Sequence, residues 1–329
     1  MAFRILALSG GGYRGLYSVA ILKHLEQQAG RPIGECFDMI AGTSIGGIIA
    51  IGLALGKRAD QIERVFLKRG EDIFPRSEWS VLRLLSRIIK PVGAKYRNEE
   101  LRKAVDEVLG DRALIGDAKT RLLVPAVNMS KGQVQMFKTP HNSRLVRDQH
   151  LMAADVAMAT SAAPTFFPMA KIQNSNFVDG GLMANAPDLC AVHEAIHFCG
   201  QNLEDVHVLS IGTTSTKFSL PNSLGLDLGQ VRWLKNARLL SAVMTTQQQL
   251  VTYMLAQQLG NRYLRIDHEP SAEQTSDLGL DIANKRRRET LLALADASYQ
   301  NIAASTHLSE FLDHHPEQPA FVAQRGKNK

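Results

Sequence analysis

The stretch "FRILALSGGGYRGLYSVAIL", residues 3–22, joins an apolar run, a glycine-rich turn and a segment with apolar residues at helical spacing. The apolar run predicts a β-strand, and the spacing from Leu16 to Leu25 predicts a helix that ends near Gly30. The same alternation of short strands and amphipathic helices continues as far as Ile211. It predicts an α/β fold with a mostly parallel central sheet covered by helices.

The glycines of this first turn allow two interpretations. Gly10, Gly12 and Gly15 satisfy the pattern G-x-G-x-x-G, which is typical of a dinucleotide phosphate site at a helix N-terminus. The same geometry can instead present backbone amides to an oxyanion that forms only during a reaction. The glycines alone favour neither one, so the rest of the chain has to decide.

A second turn lies between a predicted strand, Phe37–Ala41, and a predicted helix, Ile45–Leu55. It reads Gly42-Thr43-Ser44-Ile45-Gly46, a G-x-S-x-G in the strand-to-helix context of a nucleophile elbow. Small flanking residues allow a serine to stand exposed on a strained turn. A glycine-rich turn with a helix-capping serine fits the same five residues.

A nucleophilic serine needs a group that takes its proton. A hydrolase triad in the order serine, acid, histidine would permit Ser44 with Asp179 or Asp205 and with His207 or His268. None of the ten histidines, however, lies in a glycine-flanked turn.

The stretch "NFVDGG", residues 176–181, offers a different partner for Ser44. Its acid, Asp179, ends a predicted strand immediately before two glycines. In a Ser-Asp dyad this carboxylate would contact the hydroxyl directly, and apolar neighbours would raise its pKa. An ordinary turn at the end of a strand is the alternative.

The motifs SGGGYRG, GTSIGG and FVDGG, in this order, resemble the patatin-like phospholipase family. The similarity covers roughly residues 3–212. It includes the less specific segments YRN (96–98), ATSAAP (159–164), FFP (166–168) and ANAP (184–187). It implies a patatin-like three-layer fold and a Ser-Asp dyad that releases fatty acids from membrane phospholipids or related acyl esters. No metal or catalytic cofactor is implied.

Residue by residue, the resemblance implies Ser44 as the nucleophile and Asp179 as its base. It places the oxyanion hole in the loop of Gly10, Gly11, Gly12 and Arg14, where Arg14 braces the loop or meets a lipid phosphate. A dinucleotide site would also need an acid at the far end of the second strand, whereas Asp38 lies at its beginning. The resemblance therefore favours the oxyanion interpretation of the glycines.

Within the family, the chain is similar to the CapV-type effector phospholipases of bacterial anti-phage CBASS defence. The segments that carry this similarity are SGGGYRGLYSVAIL, IGGIIAIGLALGK and GNRYLRID. It implies activation by a cyclic dinucleotide such as 3',3'-cGAMP, at an unknown site. The basic run Lys285–Arg288 could contact nucleotide phosphates, although such a run on a helix is usually a solvated face. An ungated patatin-like esterase and a catalytically silent binding protein on the same fold remain alternatives.

The 329 residues are 45% apolar and carry a net charge of +6, which suits an anionic partner such as a phospholipid surface or a nucleotide. Three cysteines without paired spacing fit a reducing cytoplasm. The resemblance implies a cytoplasmic protein that acts at the inner face of the membrane. We expect no DNA or RNA partner, and a homo-oligomer is possible. The segment Trp79–Arg97 has one apolar and one basic face, which fits either a helix lying on a membrane or a lid that packs on the core.

The chain divides on these patterns into three parts. Residues 1–215 form the expected patatin-like catalytic core, 216–315 a helical C-terminal part packed on the same domain, and 316–329 a flexible tail. In the second part, residues 234–259 and 281–312 are predicted to be helical, with a strand at 262–267 between them.

Overall fold

The computed structural model describes residues 2–321 except 76–92, 216–217, 221, 228, 230–231, 234–237 and 276–277. Most of the predicted helix Trp79–Arg97, with its basic residues Arg83, Arg87 and Lys90, therefore lies outside the described residues. The last eight residues of the predicted tail, 322–329, lie outside them as well.

Eight strands form one sheet in the described residues, with the pairing path β5-β6-β3-β2-β1-β7-β8 and β4 paired to β3. Pairs β1–β2, β2–β3, β1–β7 and β7–β8 are parallel, whereas β4, β5 and β6 pair antiparallel. The strands are β1 Phe3–Leu8, β2 Met39–Gly42, β3 Arg121–Asn128, β4 Gln133–Lys138, β5 Ala170–Ile172, β6 Ser175–Asp179, β7 Val206–Ile211 and β8 Tyr263–Ile266.

Helices connect and cover these strands. They are α1 Gly15–Ala29, α2 Ile45–Ala54, α3 Ala59–Ile73, α4 Asn98–Leu109, α5 Ala153–Thr160, α6 Gly181–Ala184, α7 Asp188–Cys199, α8 Arg238–Leu259, α9 Ala272–Thr275, α10 Lys285–Ile302 and α11 Thr306–Leu312. The single helix predicted over 281–312 is two helices. Asn284 begins the first one, because its side chain accepts a hydrogen bond from the Arg287 amide.

The sheet separates two hydrophobic clusters, as alternation along β1 requires. Leu6 and Leu8 join a cluster with α1 to α5, α10 and α11, whereas Ile5 and Ala7 join a second cluster with α7 and α8. Helices therefore cover both faces of a central sheet whose middle strands are parallel. The predicted three-layer α/β fold is confirmed.

The C-terminal part contributes to this same body. β8 extends the sheet beside β7, and α10 packs on α1, where the Tyr17 hydroxyl donates to Ser298 Oγ at 2.9 Å. Helix α8 covers the opposite face. The residues after 215 thus share both clusters with the residues before it.

The pairing of β3 decides where two loops meet. β4 pairs with β3 from Leu123 to Asn128, so β2 and β6 must share the other edge of β3. β2 pairs along that edge as far as Leu123. β6 runs in the opposite direction, from Asn128 toward Ala126, and ends its pairing at Ala126. The C-terminal ends of β2 and β6 therefore converge on the edge between Leu123 and Ala126.

Candidate active site

Ser44 stands on a strained turn between β2 and α2. Its backbone dihedrals are φ 57° and ψ −125°, a region that L-residues rarely adopt and that costs free energy of order 1–3 kcal/mol. The flanking glycines make this turn possible. A Cβ on Gly42 would lie 2.1 Å from the Gly46 carbonyl oxygen, and one on Gly46 would lie 2.4 Å from that of Leu8.

The elbow is fastened to neighbouring elements by hydrogen bonds. The Ser44 amide donates to Thr160 Oγ1 at 3.0 Å, and that hydroxyl donates to the Pro125 carbonyl at 2.6 Å. On the other side, Thr43 Oγ1 donates to the carbonyl of Ala184 at 2.5 Å. These bonds fix the strained serine between α5, β3 and α6.

Asp179 ends β6 directly beside the serine. Its Oδ2 accepts from Ser44 Oγ at 2.6 Å, and its Oδ1 accepts from the Gly181 amide at 2.7 Å. Burial raises the pKa of this carboxyl to about 6, against the opposing effect of those two hydrogen bonds. The carboxylate is therefore a stronger base than an exposed aspartate and is ionised at neutral pH.

The structure does not bring a histidine to this pair. Asp205 and His207 lie at the start of β7, whose Val206 pairs with Phe3 at the start of β1. Ser44 follows Gly42, which pairs with Leu8 at the other end of β1. Among the described residues, no histidine lines the cavity at Ser44, so the triad alternative finds no support.

The glycine loop follows β1 at the same end of the sheet as Ser44. A Cβ on Gly10 would lie 3.1 Å from Ser44 Cβ, and Gly12 lines the same cavity as the serine. The Gly10 amide donates to the Asn185 carbonyl at 2.9 Å, so it is not a free donor. The amides of Gly11 and Gly12 have no partner among the described residues, and they are the two donors available to an oxyanion.

Arg14 lies behind this loop. Its Nε donates to the Gly11 carbonyl at 3.4 Å and its Nη1 to the Thr214 carbonyl at 3.1 Å. Burial lowers the pKa of the guanidinium to about 10, which leaves it charged at neutral pH. Of the two roles expected for Arg14, these contacts fit bracing of the loop, and we assign it no place among the oxyanion donors.

An apolar cavity opens beside Ser44 and Asp179. It is formed by α2, α3 and α4, by the segment around Phe167 and by α8. Its lining includes Ile48, Phe66, Val105, Phe166, Leu182 and Met244 together with Ser44 and Asp179. An acyl chain fits such a surface, since it carries no polar group beyond its ester.

Known proteins settle the family of this chain. Residues 6–188 match the family Patatin, described as patatin-like phospholipase. The chain belongs to the patatin-like phospholipase family. A curated relative from Pseudomonas aeruginosa (strain BWHPSA011 / Pa011), named cGAMP-activated phospholipase, is 38% identical over 99% of this chain and 96% of its own length.

Two further proteins are similar to this chain. A protein of the same name from Escherichia coli (strain TW11681) is 37% identical over 92% of this chain and 86% of its own. Among solved structures, human GIVD cytosolic phospholipase A2 is 12% identical, with a TM-score of 0.47 over 95% of this chain and 60% of that one.

Two further features bear on membrane and nucleotide contacts. Among the described residues, no helix combines the length and the apolar character needed to span a bilayer. In the basic run Lys285–Arg288, Arg288 donates to the Leu67 carbonyl at 2.8 Å and to Glu71 at 2.9 Å, and Lys285 lies 3.9 Å from Glu289. Those two residues thus already have partners within the chain.

Thr160 and Asn185 are site residues that the motifs did not identify. Each acts through hydrogen bonds to residues more than 100 positions away. Both stood in segments that resemble the family, ATSAAP and ANAP, which was the one available signal.

Proposed function

We propose that this protein hydrolyses fatty-acyl esters of membrane phospholipids with Ser44 and Asp179, and that a cyclic dinucleotide such as 3',3'-cGAMP activates it in anti-phage defence. The observation that carries the chemistry is the 2.6 Å hydrogen bond from Ser44 Oγ to Asp179 Oδ2 beside an apolar cavity. The activation is supported by two relatives named cGAMP-activated phospholipase, which match almost the full chain at 37–38% identity.

In the proposed reaction, Ser44 Oγ attacks the ester carbonyl while Asp179 Oδ2 takes the hydroxyl proton. The carbonyl oxygen becomes an oxyanion, and the amides of Gly11 and Gly12 donate to it at the positive end of the turn that leads into α1. Each such donor typically stabilises the transition state by about 2.7–4 kcal/mol.

The tetrahedral intermediate then collapses. The bond to the leaving alcohol breaks, Asp179 returns its proton to that oxygen, and the acyl group remains on Ser44. Water next attacks the acyl carbonyl while Asp179 takes its proton, the bond from the acyl carbon to Ser44 Oγ breaks, and Asp179 returns the proton to Oγ, which releases the fatty acid and restores the serine. The apolar cavity holds the acyl chain through both steps.

The proposal places the enzyme in the cytoplasm, in peripheral contact with the inner face of the membrane. A phospholipase in that compartment would attack its own cell's bilayer, so a requirement for an activator has a physical purpose. The enzyme needs no metal or catalytic cofactor in this mechanism, because the dyad and the loop amides supply every proton transfer and charge contact.

The test measures fatty acid released from phospholipid vesicles by the wild type and by Ser44→Ala, with and without a panel of cyclic dinucleotides. We expect release only from the wild type and only with one nucleotide of the panel. Release without any nucleotide would support the ungated esterase instead. If no ester is cleaved under any condition, the result favours a different activator or a catalytically silent binding protein on this fold.

A further inference from the structure

We propose that Gln247 and Gln248 of α8 are positioning residues of the active site. They hold Asn185, Asn185 holds Gly10, and the Gly10 peptide aims an oxyanion donor at Ser44. This inference rests on the proposed function, because it concerns the loop that stabilises the oxyanion of that reaction.

The first step is the contact between Asn185 and Gly10. The Asn185 carbonyl accepts from the Gly10 amide at 2.9 Å. The Gly10 carbonyl accepts from Thr213 Oγ1 at 2.9 Å and from Asn185 Nδ2 at 3.5 Å. Both polar groups of Gly10 are therefore held by residues outside the loop.

The second step is peptide geometry. The carbonyl of Gly10 and the amide of Gly11 belong to one planar peptide group, and in the trans form they point in opposite directions. The contacts that hold the Gly10 carbonyl therefore also set the direction of the Gly11 N–H. That amide is one of the two loop donors without a partner in the described part of the chain.

The third step is what holds Asn185 itself. Its backbone amide donates to Gln247 Oε1 at 2.6 Å, and its side-chain Nδ2 donates to Gln248 Oε1 at 3.1 Å. Both glutamines lie on α8. Gln248 is buried. Its Nε2 donates to Ser215 Oγ at 2.5 Å and to Asp267 Oδ2 at 3.5 Å. Both the oxygen and the nitrogen of its side-chain amide therefore have partners.

The side-chain oxygen of Asn185 favours a functional role for this residue over a purely structural one. It is buried, and its Oδ1 has no hydrogen-bond partner in the described part of the chain. An unpaired buried acceptor destabilises a fold by about 1–3 kcal/mol. The position therefore favours directing the glycine loop over contributing stability.

Helix α8 joins this loop to the substrate cavity. Leu240 and Met244, two turns and one turn before the glutamines, line the cavity beside Ser44. A shift of α8 would thus change the acyl site and the direction of the oxyanion donor together. Thr213, which donates to the Gly10 carbonyl, lies instead in the loop after β7.

The test compares Gln248→Met and Gln247→Ala with Gln249→Ala, whose exposed side chain is the matched control on the same turn. Hydrolysis is measured at saturating activator, and binding is measured for two probes. One is a long-chain trifluoromethyl ketone, whose serine adduct carries an oxyanion. The other is the corresponding ether, which cannot form an adduct.

We expect kcat to fall about 10- to 100-fold in Gln248→Met with KM within twofold of the wild type, the size of effect that a small misplacement of a catalytic group produces. Affinity for the ketone should fall by a similar factor, while affinity for the ether stays unchanged. Gln247→Ala should show the same pattern with a smaller loss, and Gln249→Ala should behave as the wild type.

An unchanged kcat in both variants would overturn the inference, as would equal losses for ketone and ether, since these indicate general damage to the cavity. If Gln248→Met does not fold, the milder Gln247→Ala decides by the same comparison. A wild type that cleaves no ester overturns the proposed function and this inference with it, so the two failures are distinguishable.

Discussion

Ser44 Oγ donates to Asp179 Oδ2 at 2.6 Å although the two residues are 135 positions apart in the chain. The contact exists because β2 and β6 approach the same edge of β3 from opposite directions and end there. Strong backbone pairing thus fixes both turns, and neither side chain has to move before the reaction. In the proposed reaction, a base and a nucleophile that are already in contact avoid part of the entropic barrier of the first step.

The first prediction concerns the strained serine. Ser44→Ala and Ser44→Gly both remove the proposed nucleophile, and we expect each to lower kcat by about 10⁴-fold or more. Glycine also relieves the backbone strain at φ 57°, which alanine retains. Ser44→Gly should therefore be the more stable of the two variants, by about 1–2 kcal/mol in the free energy of urea unfolding.

The usual order in stability is the reverse, with alanine more stable than glycine. The half-buried position Ser309 within α11 serves as a control, where alanine should be the better residue. Equal unfolding free energies for the two Ser44 variants would show that the turn stores no strain.

The second prediction is the pH dependence of hydrolysis. Asp179 accepts a proton only when it is ionised, and burial raises its pKa to about 6. We therefore expect kcat/KM to fall about tenfold per pH unit below pH 6 and to be level from about pH 7 to 8. A short soluble ester is the suitable substrate, because it avoids the pH-dependent surface charge of phospholipid vesicles. A midpoint near 4 would mean that burial does not tune this carboxyl.

The third prediction concerns the loss of folding stability caused by burying the charged carboxylate of Asp179. Its folded pKa of about 6 lies above the ordinary value of 3.8, so the fold favours the neutral acid. The free energy of unfolding of the wild type therefore decreases as pH rises from about 4 to above 6. Asp179→Asn carries no charge at any pH and keeps the acceptor for the Gly181 amide.

We expect Asp179→Asn to be inactive yet more stable than the wild type at pH 8, by up to about 3 kcal/mol for a shift of about two pKa units. The difference should shrink toward zero near pH 4, where the aspartate is neutral too. Urea unfolding of both proteins across this pH range measures it. A difference independent of pH would show that the stabilisation does not arise from the charge.

Much of the fold could be predicted from local pattern. The helix predicted at Ile45–Leu55 is observed at Ile45–Ala54, and β1 and α1 lie within one residue of their predictions. The strand Ala170–Ile172 was not predicted, because three residues show no period. The antiparallel pairing of β4 and β6 was not predicted either, since strand direction depends on partners far away in sequence.

The candidate site shows the same division. Ser44, Asp179 and the glycine loop lie in turns with a recognisable sequence, so local motifs predicted them. Asn185 and Gln248 have no such signature, because each acts through a side-chain amide whose partners lie on other elements. Gln248 in particular lies among three consecutive glutamines of one helix, and only the packing of α8 selects it.

The last prediction concerns the apolar cavity. Val105 on α4 is buried and lines the cavity, so a phenylalanine at this position would fill space that an acyl chain needs. We expect Val105→Phe to lower kcat/KM for long-chain phospholipids about tenfold or more, while hydrolysis of a butyryl ester stays within about twofold. The expected loss corresponds to about 1.4 kcal/mol, roughly two methylene groups of lost contact.

The matched control is Val134→Phe, where the same change falls on an exposed position of β4. It should leave both substrates unaffected. Overpacking costs about 1–3 kcal/mol of stability at a buried site, so thermal unfolding of both variants is measured alongside. If Val105→Phe lowers the two activities equally, the substitution damages the site in general, and if it lowers neither activity, the acyl chain does not occupy this part of the cavity.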